Sequence, residues 1–189
     1  MQPKDDLVKA ACCGDSRLVR SALRRGASPN LRYRGRTVLL WAIQEQHLKV
    51  VKALVRAGAS LEARDSLGFT AIDQAVGAGS FEIVEFLLKA GANVNGRTAN
   101  GTPLHTACAW RRPRIARLLL RHGADPSLLD EDGRRPIDFI KRAKSVSDKT
   151  LRKMITAKPP SHAATANPVI RLQHRPLGQR AAQRRRSPA

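Results

Sequence analysis

Aromatic residues make up only 4% of this 189-residue chain, and 15 acids face 35 Lys and Arg, for a net charge of +20. So few large rings suit thin helix-on-helix stacking, and the length allows one extended domain without a second large core. Cysteine is limited to Cys12, Cys13 and Cys108. An odd number without metal-ligand spacing excludes a disulfide framework and a zinc site, and reduced thiols fit a cytoplasmic or nuclear setting. Long apolar runs are absent, so no segment reads as a membrane span, and Met1 to Ala10 lacks the basic and apolar regions of a signal peptide. Also missing are a Gly-rich phosphate loop and any nucleophile–base–orienter set. The expectation is a chain without catalytic residues, cofactor, metal or membrane partner.

What the sequence does have is a period. Gly26-Ala27, Gly58-Ala59, Gly91-Ala92 and Gly123-Ala124 recur at intervals of 32, 33 and 32 residues, each closing an apolar run such as Phe86-Leu87-Leu88. In step with them come Thr37-Val38-Leu39-Leu40, Thr70-Ala71-Ile72-Asp73, Thr102-Pro103-Leu104-His105 and Arg135-Pro136-Ile137-Asp138. A threonine suits a helix N-cap, a proline suits the first helical position, and glycine suits the left-handed residue after a helix. Each unit therefore reads as helix, turn, helix and hairpin-like loop. Alignment gives columns, Leu18, Val50, Ile83 and Ile115 in one and Leu23, Val55, Leu88 and Leu120 in another, which stacking is expected to bury in one elongated core.

These phrases resemble the ankyrin repeat, over roughly residues 5 to 156, with the unit from Gly101 to Asp132 nearest the family pattern. The resemblance implies an all-α solenoid of about five helix-turn-helix units with hairpin loops, near 5–34, 35–67, 68–100, 101–132 and 133–156. Residues 1–157 form the expected repeat domain and 158–189 a disordered basic tail. Gln46 and Arg111 stand where Gly14 and Gly79 link helices elsewhere, and Arg135 replaces the capping threonine of the last unit. His105 and His122 occupy family-typical structural positions.

In this family the inner helices and hairpin tips form a concave face that grips a protein. Register puts Trp41, Gln44, Glu45, Gln74 and Trp110 on that face, and aromatic anchors with Arg are typical interface hot spots. Arg32, Arg64 and Arg97 form a basic column on the hairpin edge, reinforced by Arg34 and Arg36, while Asp130, Glu131 and Asp132 make the next arm acidic. Such a rim suits an acidic protein partner. Asn95 resembles the loop asparagine hydroxylated in many ankyrin proteins, though it equally suits a turn.

The outer helices carry three basic columns: Arg17, Lys49 and Arg114; Arg20, Lys52 and Arg117; Arg24, Arg56, Lys89 and Arg121. Glu82 and Glu85 interrupt the first two. The tail from Lys158 has seven basic residues and no acid. Its Arg184-Arg185-Arg186-Ser187 run reads as a nuclear-import signal or a phosphorylation site, set against a general bias toward arginine. The primary reading is a monomeric, non-enzymatic scaffold, adaptor or inhibitor, cytoplasmic or nuclear. The alternative is a nucleic-acid-associated or nuclear factor that uses the outer stripes and tail for non-specific phosphate contacts.

Overall fold

The computed structural model describes residues 2–98, 100–140 and 146–156; the tail run Arg184 to Ser187 lies outside them. Helices alternate in pairs: α1 (Pro3–Cys13) with α2 (Ser16–Arg24), α3 (Val38–Gln44) with α4 (Leu48–Arg56), α5 (Ala71–Ala78) with α6 (Phe81–Lys89), and α7 (Pro103–Ala109) with α8 (Pro113–Arg121). A 3₁₀ turn over Pro136–Ile140 and α9 (Val146–Thr156) follow. Among the described residues the only paired strands, β1 (Arg32–Tyr33) and β2 (Arg36–Thr37), form an antiparallel hairpin between the first two pairs.

The inner helices start as their threonines demand. Thr37 Oγ1 accepts the Leu40 amide at 3.3 Å. In α5 the Thr70 amide and hydroxyl both donate to Asp73 Oδ2, at 3.1 and 2.6 Å, which closes a reciprocal cap. The last unit departs from this plan. Arg135 has no hydroxyl to offer, so only the return half of the cap survives, the Arg135 amide donating to Asp138 Oδ2 at 2.9 Å, and the segment winds as 3₁₀ instead of α.

Successive pairs pack mainly on their neighbours, inner helix on inner and outer on outer. The core runs in columns at the repeat period: Leu7, Leu39, Ile72 and Leu104 inside, and Val19, Val51, Val84 and Ala116 with Ala22, Leu54, Leu87 and Leu119 outside, all at most 1% exposed. This corrects the second expected column by one position. Leu23, Val55 and Leu120 are only half-buried and pack on the core from its edge, with Leu88 alone enclosed. Neighbouring residues differ by about 100° in direction, so the column next to Ala22, Leu54, Leu87 and Leu119 falls at the edge of the stack, whereas Val50, Ile83 and Ile115 of the first expected column are buried and only Leu18 is half-buried.

Left-handed residues join the two helices of each pair. Gly14 and Gly79 have φ of 79° and 74°, and Gln46 and Arg111 adopt the same conformation with φ of 57° and 51°, so the fold imposes the turn where the sequence lacks glycine. At Gly14 an added Cβ would come within 2.8 Å of the His47 ring, and His47 Nε2 lies 3.1 Å from the Cys12 carbonyl. Gly14→Ala is therefore expected to lower stability by about 2 kcal/mol. Gly26→Ala, whose Cβ would meet nothing within 4 Å despite φ of 90°, should cost about 1 kcal/mol from backbone strain alone. Urea unfolding followed by circular dichroism measures both.

Candidate functional site

The hairpin side of the array is held by a chain of side chains that reach from each unit to the next. Arg32 donates to the Arg64 carbonyl at 3.0 Å, Arg64 to the Arg97 carbonyl at 2.8 Å, and Arg97 to the Leu129 carbonyl. Arg32 also bonds the carbonyl of Gly35 at 2.6 Å, and Arg64 that of Gly68 at 3.0 Å. The basic column thus exists where register placed it, with its guanidinium groups tying loops together. Asparagine does the same work. Asn95 Nδ2 donates to the Gly123 carbonyl at 3.1 Å while Oδ1 accepts the Asp125 amide at 2.9 Å, and Asn30 bridges to Gly58 and Ser60 in the same way. Both ends of the Asn95 amide are therefore engaged.

The acidic arm is rearranged. Asp130 is buried, its Oδ1 accepting the Asp132 and Arg134 amides at 3.0 and 2.8 Å and its Oδ2 pairing with Arg134 Nε at 2.9 Å. It anchors a loop, which corrects its expected place on the rim, and leaves only Glu131 and Asp132 exposed there. Asp65 anchors the equivalent loop two units earlier, accepting the Leu67 and Phe69 amides at 2.9 Å and pairing with Arg36 at 3.3 Å.

The two tryptophans have different surroundings. Trp41 is half-buried, its Nε1 donates to the Tyr33 carbonyl at 3.0 Å, and its ring centroid lies 6.3 Å from that of Tyr33. Arg36 stacks over Trp41 at 5.6 Å and bonds Gln44, and Arg34 stacks over Tyr33 at 5.2 Å. Five residues thus form one self-satisfied cluster on the first hairpin. Trp110 caps the end of α7 with 63% of its surface exposed.

Trp110 also borders a cleft of about 570 Å³ on the inner face, together with Gln44, Gln74, Asp73, Phe69 and Phe139. Trp41, Glu45 and the rim arginines Arg32, Arg64 and Arg97 are outside its lining. The sequence reading missed the cleft's floor. Phe139, from the 3₁₀ turn, meets His105 edge-on at 6.0 Å and lies under Arg134 at 4.8 Å. Asp73 Oδ1 is buried without a hydrogen-bond partner among the described residues, and burial raises the Asp73 pKa above the usual carboxylate value.

His105 closes the cleft from beneath. Its Nδ1 accepts the Thr102 amide at 3.0 Å, so that nitrogen carries no proton, and Nε2–H donates to the Arg134 carbonyl at 3.0 Å. Both nitrogens are used by one neutral tautomer, and burial accordingly lowers the His105 pKa below 6.5. The unfolded chain then takes up a proton at a pH where the folded chain resists it, so the contribution of His105 to stability is fully present above 6.5 and is lost as pH drops below it. Urea midpoints measured from pH 7 down to pH 5 should fall for the wild type, and the His105→Asn variant should show a shallower slope over the same range. Chemistry is otherwise quiet. Burial pushes the Cys108 thiol up to about 12, Cys12 is raised by burial and by its neighbours Cys13 and Glu45, and no group of His, Cys, Asp and Glu among the described residues could hold a metal.

Comparison with known proteins agrees with this architecture. A family model described as ankyrin repeats (3 copies) matches residues 7–98 and 65–130. Over 116 residues the chain is 36% identical to protein phosphatase 1 regulatory subunit 27 of Mus musculus, which covers 60% of this chain and 75% of that one. It is 36% identical over 111 residues to the mouse RelA-associated inhibitor, 56% of this chain and 14% of the inhibitor. Over 87 residues it is 39% identical to the E3 ubiquitin-protein ligase Ufd4 of Drosophila melanogaster, 46% of this chain but 3% of the ligase. The chain thus spans three quarters of the phosphatase subunit and a small part of the other two.

Proposed function

The chain belongs to the ankyrin-repeat family, and from that premise we propose that it is a non-enzymatic regulatory module which binds a protein partner in the inner-face cleft around Trp110 and Gln74. The observation that carries this reading is the tryptophan itself. A ring left 63% exposed at the edge of a 570 Å³ cleft keeps apolar area in water, and an aromatic anchor seated in a pocket is where binding energy concentrates. The half-buried Gln74 and the Asp73 Oδ1 beside it, which has no hydrogen-bond partner among the described residues, supply polar groups that orient a ligand. The rim arginines, outside the cleft lining, tie each hairpin to the next, and a scaffold held in that way needs little ordering on binding.

Inhibition or adaptation by occupying a partner's surface fits the names of two relatives, a phosphatase regulatory subunit and an inhibitor. The catalytic subunit of protein phosphatase 1 is accordingly the first candidate to try. The test uses the full-length chain as bait, with and without nuclease, against cell lysate and against purified phosphatase. A partner held by the wild type and lost by Trp110→Ala supports the cleft. Capture that survives Trp110→Ala and Gln74→Ala but disappears with nuclease removes it.

A further inference from the structure

A second groove, of about 590 Å³, lies on the opposite, outer face between α2 and α4. The 32-residue register sets Arg17 beside Lys49, Arg20 beside Lys52 and Arg24 beside Arg56, two rows of three cations along one furrow. Its remaining lining is small or apolar, Leu23 and Ala53 among it, and contains no carboxylate. Arg17, Arg20, Arg24, Lys49 and Arg56 form no ion pair and no side-chain hydrogen bond among the described residues. Asp15, just before α2, caps that helix by accepting the Arg17 and Leu18 amides at 2.9 and 3.0 Å. Those bonds, with Arg17 and Arg20 nearby, lower its pKa, so Asp15 offsets part of the charge at one end of the groove, while Glu82 and Glu85 come only with the next unit.

We propose that this groove is a binding site for a compact, soluble polyphosphate. Facing rows of like charge repel one another, and a multiply charged anion between them turns that repulsion into attraction from both walls. Phosphate suits it better than a single carboxylate, because arginine forks engage two oxygens at once and several phosphates can meet both rows.

The groove's extent argues for a compact ligand. In the third unit the rows meet Glu82 and Glu85, the latter paired with Lys89 at 2.8 Å, so a strand of nucleic acid continuing along the stack would meet carboxylates. Of the basic residues that return on α8, two are already engaged. Arg114 lies over Phe81 at 5.1 Å, and Arg117 reaches Met154 Sδ at 3.1 Å. A membrane surface fits less well, because the exposed large apolar side chains of the described residues, Tyr33, Leu67, Trp110 and Leu129, all belong to the hairpin and inner-face side.

The experiment titrates the full chain with inorganic tripolyphosphate by calorimetry at about 0.15 M salt, where diffuse surface attraction is screened. Parallel arms use vesicles containing phosphatidylinositol 4,5-bisphosphate and a single-stranded RNA. The wild type is expected to bind tripolyphosphate saturably at one site, and Arg20→Gln/Lys49→Gln/Arg56→Gln to weaken it roughly tenfold or more. The control triples Arg114→Gln/Arg117→Gln/Arg121→Gln and Arg184→Gln/Arg185→Gln/Arg186→Gln should stay within about twofold of wild type. Every substituted position on α2, α4 and α8 is exposed, and circular dichroism confirms that each variant folds. Equal weakening in all three triples, unchanged binding in the α2–α4 triple, or saturable binding to the vesicles or the RNA alone would overturn the proposal.

Discussion

Leu87→Ala is expected to lower the unfolding free energy by about 3–4 kcal/mol, the range for emptying a fully enclosed leucine site. Leu87 is 0% exposed on α6, the middle outer helix, which packs on α4 to one side and α8 to the other. The position has consequences beyond the cavity. A stacked array is stabilised by contacts between adjacent units, so a weakened centre uncouples the two halves as well as losing its own packing. The predicted signature is a urea transition, followed by circular dichroism, that moves to lower concentration and broadens as the ends begin to unfold separately. Leu23→Ala at the edge of the first unit, where the side chain is half-buried, should cost about 1 kcal/mol and leave the transition sharp. A central variant as mild as the edge variant would show that neighbour coupling is weak here.

The difference between those two leucines also measures what the sequence could and could not convey. Repeated Gly-Ala and Thr-x-Leu phrases carried the helix pairs and their order, because capping and left-handed turns depend on residues a few positions apart. Which of two adjacent apolar columns faces the stack depends on the angle at which helices meet, so Leu54 and Leu119 are enclosed where Val55 and Leu120 also looked inward. The inter-unit ties were less legible still. Arg32, Arg64 and Arg97 bond backbone carbonyls about one repeat away, and a carbonyl leaves no mark in a sequence. Only the recurrence of arginine at one register position signalled them, and it reads equally well as a free basic rim.

The candidate site divides along the same line. Register was enough to place Gln74, in the middle of α5, and Trp110, just past the end of α7, on one face. It could not show that Trp41 spends its indole N–H on Tyr33, or that Phe139 and Arg134 of the irregular last unit floor the cleft. A degenerate repeat breaks the alignment from which such positions are read. Its most informative residue is Arg135, which offers no hydroxyl for a cap where a helix-turn-helix unit was expected and a 3₁₀ turn is found.

Separating the tryptophans gives the second large effect. Trp110→Ala is expected to weaken partner binding by about 2 kcal/mol or more, roughly thirtyfold in Kd, as truncation of a central aromatic anchor does. With 63% of its surface already in water, its loss should move the urea midpoint little, within about 0.5 kcal/mol. Trp41→Ala should do the reverse. It removes the hydrogen bond to Tyr33 and the stacking with Tyr33 and Arg36, and so lowers stability by about 2 kcal/mol. Its effect on binding should be smaller, because its ring is outside the cleft lining. Titration of each folded variant against the captured partner, beside urea unfolding of each, reads the two quantities independently. If both substitutions lowered stability alike and left affinity unchanged, the rings would be packing elements and the cleft would lose its anchor. If Trp41→Ala alone cost affinity at unchanged stability, the binding surface would move to the first hairpin, where Arg34 and Arg36 already flank two aromatic rings.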